Sequence, residues 1–174
     1  MLRRLLSKFG LNVARVVVDT NVLISGSLGR KGFSARIIDA AIAGRIRLVV
    51  SSTLIEEYLD VIQRPHITKR YPEIGERVES ISFYLDTNAI LVSAMPTERI
   101  VPNDPDDDFL IACAIEGQAR YIISGDEHPL ALGRYSGIKV LTPRDFVTQI
   151  LGESPPFDPH SSNHVPIFLS SARL

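Results

Sequence analysis

DPDDDFLIACAIEGQARYIIS, residues 104–124, holds two hydrophobic periods in succession. Asp104 before Pro105 places an N-cap residue ahead of a proline at the first helical position, which opens a helix. Leu110, Ile111 and Ala114 then recur at helical spacing, to about Gly117. YIIS at 121–124 is different: a short continuous apolar run, the pattern of a strand covered on both faces. A helix feeding straight into such a strand is the unit of an α/β protein.

The same alternation extends in both directions. RVVVD (15–19), IRLVVS (46–51), AILVS (89–93) and IKVL (138–141) read as further buried strands. Residues 33–44 carry Ile37, Ile38, Ala41 and Ile42 on one helical face. Residues 53–64 carry Leu54, Ile55, Tyr58, Leu59 and Ile62 behind a Ser/Thr N-cap signal, and residues 73–86 carry Ile74, Val78, Ile81 and Leu85. Thr142-Pro143 opens a last helix that ends near Leu151. The pattern predicts a three-layer α/β/α sandwich about a parallel sheet of about five strands, joined by right-handed crossovers. It assigns residues 14–151 to one domain, 1–13 to a helical or disordered leader and 152–174 to a Pro/Ser-rich tail. The end of that tail, VPIFLSSARL (165–174), reads as a docking strap or as disordered chain.

Composition narrows the class. The 174 residues are 45% hydrophobic and 22% charged, enough for one sizeable core and too apolar for a mostly disordered chain. Mean hydropathy is only +0.12 and no run approaches the roughly 18 apolar residues of a membrane helix, which excludes an integral membrane protein of that kind. The opening MLRRLLSKFGLN lacks an uninterrupted apolar core and a small-residue cleavage site, so no secretory signal is expected. The one cysteine, Cys113, excludes an intramolecular disulfide and a zinc site built on paired cysteines. A cytoplasmic location is the expectation. The net charge of −1 conceals an asymmetry: residues 1–47 hold nine Lys/Arg against Asp19 and Asp39, a balance of +7. Such a basic half suits a polyanionic partner, although Lys and Arg also simply solvate helix faces.

In an open parallel sheet, ligands bind beyond the carboxyl ends of the strands, where strand order reverses. The first strand ends in Asp19-Thr20-Asn21 and the fourth in Ser124-Gly125-Asp126. If these strands are neighbours, Asp19 and Asp126 face one crevice; either acid alone serves as well as a turn former or helix cap. On the helix after Pro105, Asp107 falls in line with Leu110, Ile111 and Ala114 at about 100° per residue. Asp106 lies towards the edge of that stripe, and Asp108 near Ile115 on its other shoulder. A carboxylate on a core-facing stripe calls for a cation or a proton, while acids in a first turn also favour the helix dipole. Glu56 and Glu57 sit on opposite shoulders of their helix, and periodicity does not choose between them. A set of carboxylates without a cysteine or a His pair at metal spacing suits Mg²⁺ or Mn²⁺ rather than zinc. Such ions activate water and stabilise a phosphodiester in transfer.

VVVDTNVLIS (16–25), STLIEEYLDVIQRP (52–65) and DPDDDFLIACAIEGQARYIISGDEHPLAL (104–132), in this order and spacing, resemble a PIN domain. The resemblance covers about residues 14–150 and is closest to the prokaryotic branch assigned as toxins of type II toxin–antitoxin systems. It implies a sheet in the order 3-2-1-4-5 and an Mg²⁺- or Mn²⁺-dependent ribonuclease acting on single-stranded RNA. It further implies a homodimer, with helices 53–64 and 73–86 as candidate surfaces, and a cognate antitoxin as partner. Asp19, Glu57, Asp107 and Asp126 match the family's metal-binding acids. Thr20, Asn21 and Ser124 match small polar positions that orient carboxylates or contact water and phosphate. The chain departs from many relatives at His128, where they carry another acid.

Other classes fit less well. A haloacid-dehalogenase-type phosphatase needs a second Asp two positions after the first, where this chain has Asn21. A receiver domain takes phosphate on an Asp at a middle strand's end, where this chain has Ser93-Ala94. Neither GxxxxGK[ST] nor GxGxxG occurs. The runner-up is a catalytically silent PIN-like module that binds RNA or a protein.

Overall fold

The computed structural model describes residues 13–94 and 105–154, with the side chains of 105–107 excepted. The leader through residue 12, the Asp104 cap and the tail from 155 lie outside the described residues. Six strands form one sheet: β1 (Ala14–Val18), β2 (Ile46–Ser51), β3 (Ile90–Val92), β4 (Tyr121–Ile123), β5 (Arg134–Tyr135) and β6 (Ile138–Leu141). Their order is β3-β2-β1-β4-β6-β5. The first five strands in that order are parallel, as expected, and only β5 runs antiparallel, against β6. Two residues are too few to carry a period, so β5 left no trace in the hydrophobic pattern. Ser136 and Gly137, both at positive φ, make the tight turn into β6.

Eight helical segments flank the sheet among the described residues: α1 (Thr20–Leu28), α2 (Phe33–Ile42), α3 (Ser52–Ile62), α4 (Pro65–Arg70), α5 (Gly75–Thr87), α6 (Pro105–Glu116), α7 (Glu127–Leu132) and α8 (Pro143–Asp145). A 3-10 turn, Pro72–Ile74, leads into α5, and α8 continues as a π turn, Phe146–Ile150. Thr142 caps this last segment, its Oγ1 accepting from Asp145 N at 3.1 Å. The sequence pattern had not marked α1, α4 or α7.

The run Val16-Val17-Val18 shows why these strands read as continuously apolar. Val16 and Val18 point into a core shared with Leu48, Val50, Ile37 and Tyr58, whereas Val17 joins Val49, Ile122, Ile111 and Ala114 on the opposite face. Both faces are covered, so both registers of the strand are buried. No helix among the described residues is long and apolar enough to cross a membrane.

Candidate active site

The crevice forms where β1 and β4 leave the sheet side by side. Val18 pairs with Ile123, and Asp19 N donates to Ile123 O at 2.9 Å. Strand order reverses between these two strands, which opens a gap beyond their carboxyl ends. Asp19 is the N-cap of α1, and its Oδ1 accepts from Asn21 N at 3.2 Å. Its Oδ2 accepts from Ser124 Oγ at 2.6 Å. Ser124 is fully buried, and its Oγ in turn accepts from Asp126 N at 3.0 Å. One hydroxyl therefore ties the end of β4 to the Asp19 carboxylate. Asp126 caps α7, with Oδ1 accepting from His128 N at 3.2 Å. The His128 ring nitrogen Nδ1 stands 3.8 Å from that same oxygen.

Glu57 reaches the site from α3, which Ser51 caps by accepting from Leu54 N. Thr20, itself buried, donates its hydroxyl to Glu57 Oε2 at 2.8 Å. That bond crosses from α1 to α3 and distinguishes Glu57 from Glu56, which is exposed and does not line the cleft. The cleft has a volume of about 420 Å³. Its lining combines Asp19, Asn21, Glu57 and Asp126 with the apolar residues Leu54, Phe109, Leu110 and Cys113. Among the described residues that line it, none is Lys, Arg or His.

Three of the four acids singled out by sequence thus share one cleft. The Asp107 side chain lies outside the described residues. Phe109, Leu110 and Cys113 stand three, four and seven positions after Asp106, so register position 106 shares the helical phase of the cleft-lining residues. Asp108, assigned by spacing to a shoulder beside Ile115, is 4% exposed, whereas Ile115 is 49% exposed. Asp108 is engaged within the fold and does not line the cleft. The apolar wall and the small polar residues Ser51 and Thr53 had not been singled out. Their only signal is position: they end β2, open α3 or lie within about two turns of the acidic helix start.

The donor set suits a hard divalent cation: carboxylate oxygens held by neutral hydroxyls and backbone N–H groups, with no Lys or Arg among the described lining residues. Among the described residues, no three His, Cys, Asp or Glu side chains are placed to hold one ion.

Cys113 forms part of the cleft floor, 1% exposed. Burial, with Glu116 adding to it, pushes its thiol from 9.0 up to about 12. The thiol is inert at neutral pH. Because the folded state holds this proton more tightly, the associated stability is present below pH 9 and lost as pH rises to about 12. Urea melts between pH 9 and 12 are expected to show a fall approaching about 1.4 kcal/mol per pH unit from this group. That component is expected to vanish in Cys113→Ala, and an unchanged slope would refute the assignment.

Comparison with known proteins places these residues in context. Residues 15–128 match the family described as PIN domain. Over 143 residues the chain is 28% identical to an uncharacterized protein of Methanocaldococcus jannaschii, covering 78% of this chain and 90% of that protein.

Proposed function

The chain belongs to the PIN-domain family, and from that premise we propose that it is a metal-dependent ribonuclease that hydrolyses phosphodiester bonds of single-stranded RNA. The observation that carries this reading is a cleft holding Asp19, Glu57 and Asp126 with no basic side chain among its described lining residues. Asp19, Glu57 and Asp126, with Asp107, would hold Mg²⁺ or Mn²⁺. When bound, the metal supplies water activation and neutralises charge on the phosphodiester. Ser124 and Asn21 N each fix one oxygen of Asp19, and Thr20 fixes one of Glu57, so the carboxylates reach the reaction already oriented. Asn21, exposed at the rim, contacts water or phosphate. The basic first third of the chain draws in the RNA backbone, so binding weakens as salt rises.

The test is incubation with single-stranded RNA in Mg²⁺ or Mn²⁺, in Ca²⁺ and in EDTA. Cleavage is expected in the first two only, because catalysis requires the smaller ions' ordered coordination. Undiminished cleavage in EDTA would sink the metal mechanism. Asp107→Asn and Asp106→Asn belong in the same series: loss is expected for the first, and loss confined to the second would move the helix acid by one residue.

The second reading is a silent module that binds RNA or a protein. Tight RNA binding without cleavage in every metal would select it. Within the nuclease reading we place a role as the toxin of a toxin–antitoxin pair, in the cytoplasm, with a cognate antitoxin and as a homodimer. Phe83, 68% exposed on α5, supports a dimer surface on that helix. Copurification tests the antitoxin, and sedimentation of Phe83→Glu beside the parent chain tests the dimer.

A further inference from the structure

Phe109 lines the cleft and has no part in metal binding. It stands on α6 with its ring 37% exposed, while Ile111 and Ala114 of the same helix are buried in the core. With Leu110 and Cys113 of the same helix it lines the cleft that also holds Asp19, Glu57 and Asp126. An aromatic ring left open to solvent beside a row of carboxylates gains nothing from either water or the acids. It does suit a flat, apolar face brought in by the substrate. The cleft, at about 420 Å³, falls within the ~300–1,000 Å³ of small-ligand sites, room for a nucleotide unit.

We propose that Phe109 is a stacking platform that takes one unpaired nucleobase and so holds the adjoining phosphodiester against the acids. This rests on the nuclease reading above and adds the feature that sets substrate class. A phenyl ring has no hydrogen-bonding group, so it accepts any base: every base has a π-face, and stacking tolerates sequence. Strand state is what it reads. In a duplex both faces of a base are covered by its neighbours, and only an unstacked base can present one to the ring. Phe109 is thus a specificity-determining residue.

The chain contains no tryptophan, so Phe109→Trp introduces a single indole whose emission reports stacking directly. Titrations are done in Ca²⁺, with three probes of equal length: a single-stranded oligoadenylate, an abasic ribose-phosphate chain and a duplex containing the oligoadenylate. Quenching is expected with the first alone. Phe109→Ala and Phe109→Leu are expected to raise the dissociation constant for the oligoadenylate about 5- to 150-fold, with Phe109→Tyr restoring it. Phe109→Leu keeps most of the buried apolar surface and is expected to melt near the parent, so that it separates lost stacking from lost stability. Equal quenching by the abasic chain, or parental binding by Phe109→Leu, would overturn the proposal. The two readings fail separately. Normal cleavage by Phe109→Leu removes the platform and leaves the nuclease; base-dependent quenching without cleavage in any metal removes the nuclease and leaves the platform.

Discussion

Asp19→Asn is expected to lower RNA cleavage by at least about 100-fold while leaving the melting temperature unchanged or raised. The lower bound follows from metal sites in which even an outer partner of a ligand matters 10- to 100-fold. Stability is spared because Asn caps a helix as well as Asp does. The amide oxygen keeps an acceptor for Ser124 Oγ or for Asn21 N, the two donors that hold the carboxylate. Removing one of the carboxylates from a cleft whose described lining residues include no Lys or Arg also relieves repulsion in the metal-free protein. Asp19→Ala separates the two roles. It is expected to abolish cleavage as well and to cost about 0.5–2 kcal/mol through the lost cap. Thermal melts with and without Mn²⁺ complete the set: Mn²⁺ should raise the parent's melting temperature more than that of Asp19→Asn. Parental cleavage by Asp19→Asn would refute the site.

Gly117→Ala is expected to destabilise the fold by about 1–3 kcal/mol, the range for overpacking a filled core. In a domain of this size that corresponds to roughly 2–12 °C in melting temperature. A Cβ at position 117 would stand 2.2 Å from Val49 Cγ1, 2.9 Å from Cγ2 and 3.0 Å from Cβ. Rotating Val49 cannot relieve all three contacts, since its Cβ moves only with the backbone of β2. Val49 is completely buried in the sheet, so the strand has no room to yield. At an uncrowded site the same substitution would stabilise by about 0.4–1 kcal/mol, so the sign of the change reports the close approach of α6 to the sheet. Val49→Ala is expected to recover part of the loss in the double variant, as coupling between touching residues requires. A neutral or stabilised Gly117→Ala would show that the helix end lies farther from β2.

Five of the six strands and most helices were legible because their signals are local. Val16, Val17 and Val18 are apolar in succession since both sheet faces are covered, and Pro143 marks a helix start by its own geometry. α1 was not legible. Thr20, Gly26 and Ser27 are buried along with Val22 and Leu23, so polar and apolar residues share its inner side and no stripe forms. Ser27 is satisfied there by Leu23 O at 2.8 Å and Tyr58 Oη at 2.9 Å. The Tyr58 partner comes from α3, and no local pattern announces it. The site divides in the same way. Its acids were visible as residue types at strand ends and helix starts, whereas the open Phe109 ring and the buried Asp108 depend on how α6 meets its surroundings.

The sequence by itself determined five of the six strands and five of the eight helices among the described residues, that the sheet is mainly parallel, and that acids stand at the ends of its first and fourth strands. Those properties depend on residue spacing within single elements, and spacing is written in the chain. Tertiary structure alone decided the hydroxyl bridge by which Ser124, at the end of β4, holds the Asp19 carboxylate across a long stretch of chain. It alone placed Glu57, and not Glu56, in reach of the Thr20 hydroxyl. Both outcomes are contacts between elements distant in sequence. The pairing of β1 with β4 sets the bridge, and the seating of α1 against α3 sets which glutamate is met, so neither can be read from the residues of one segment.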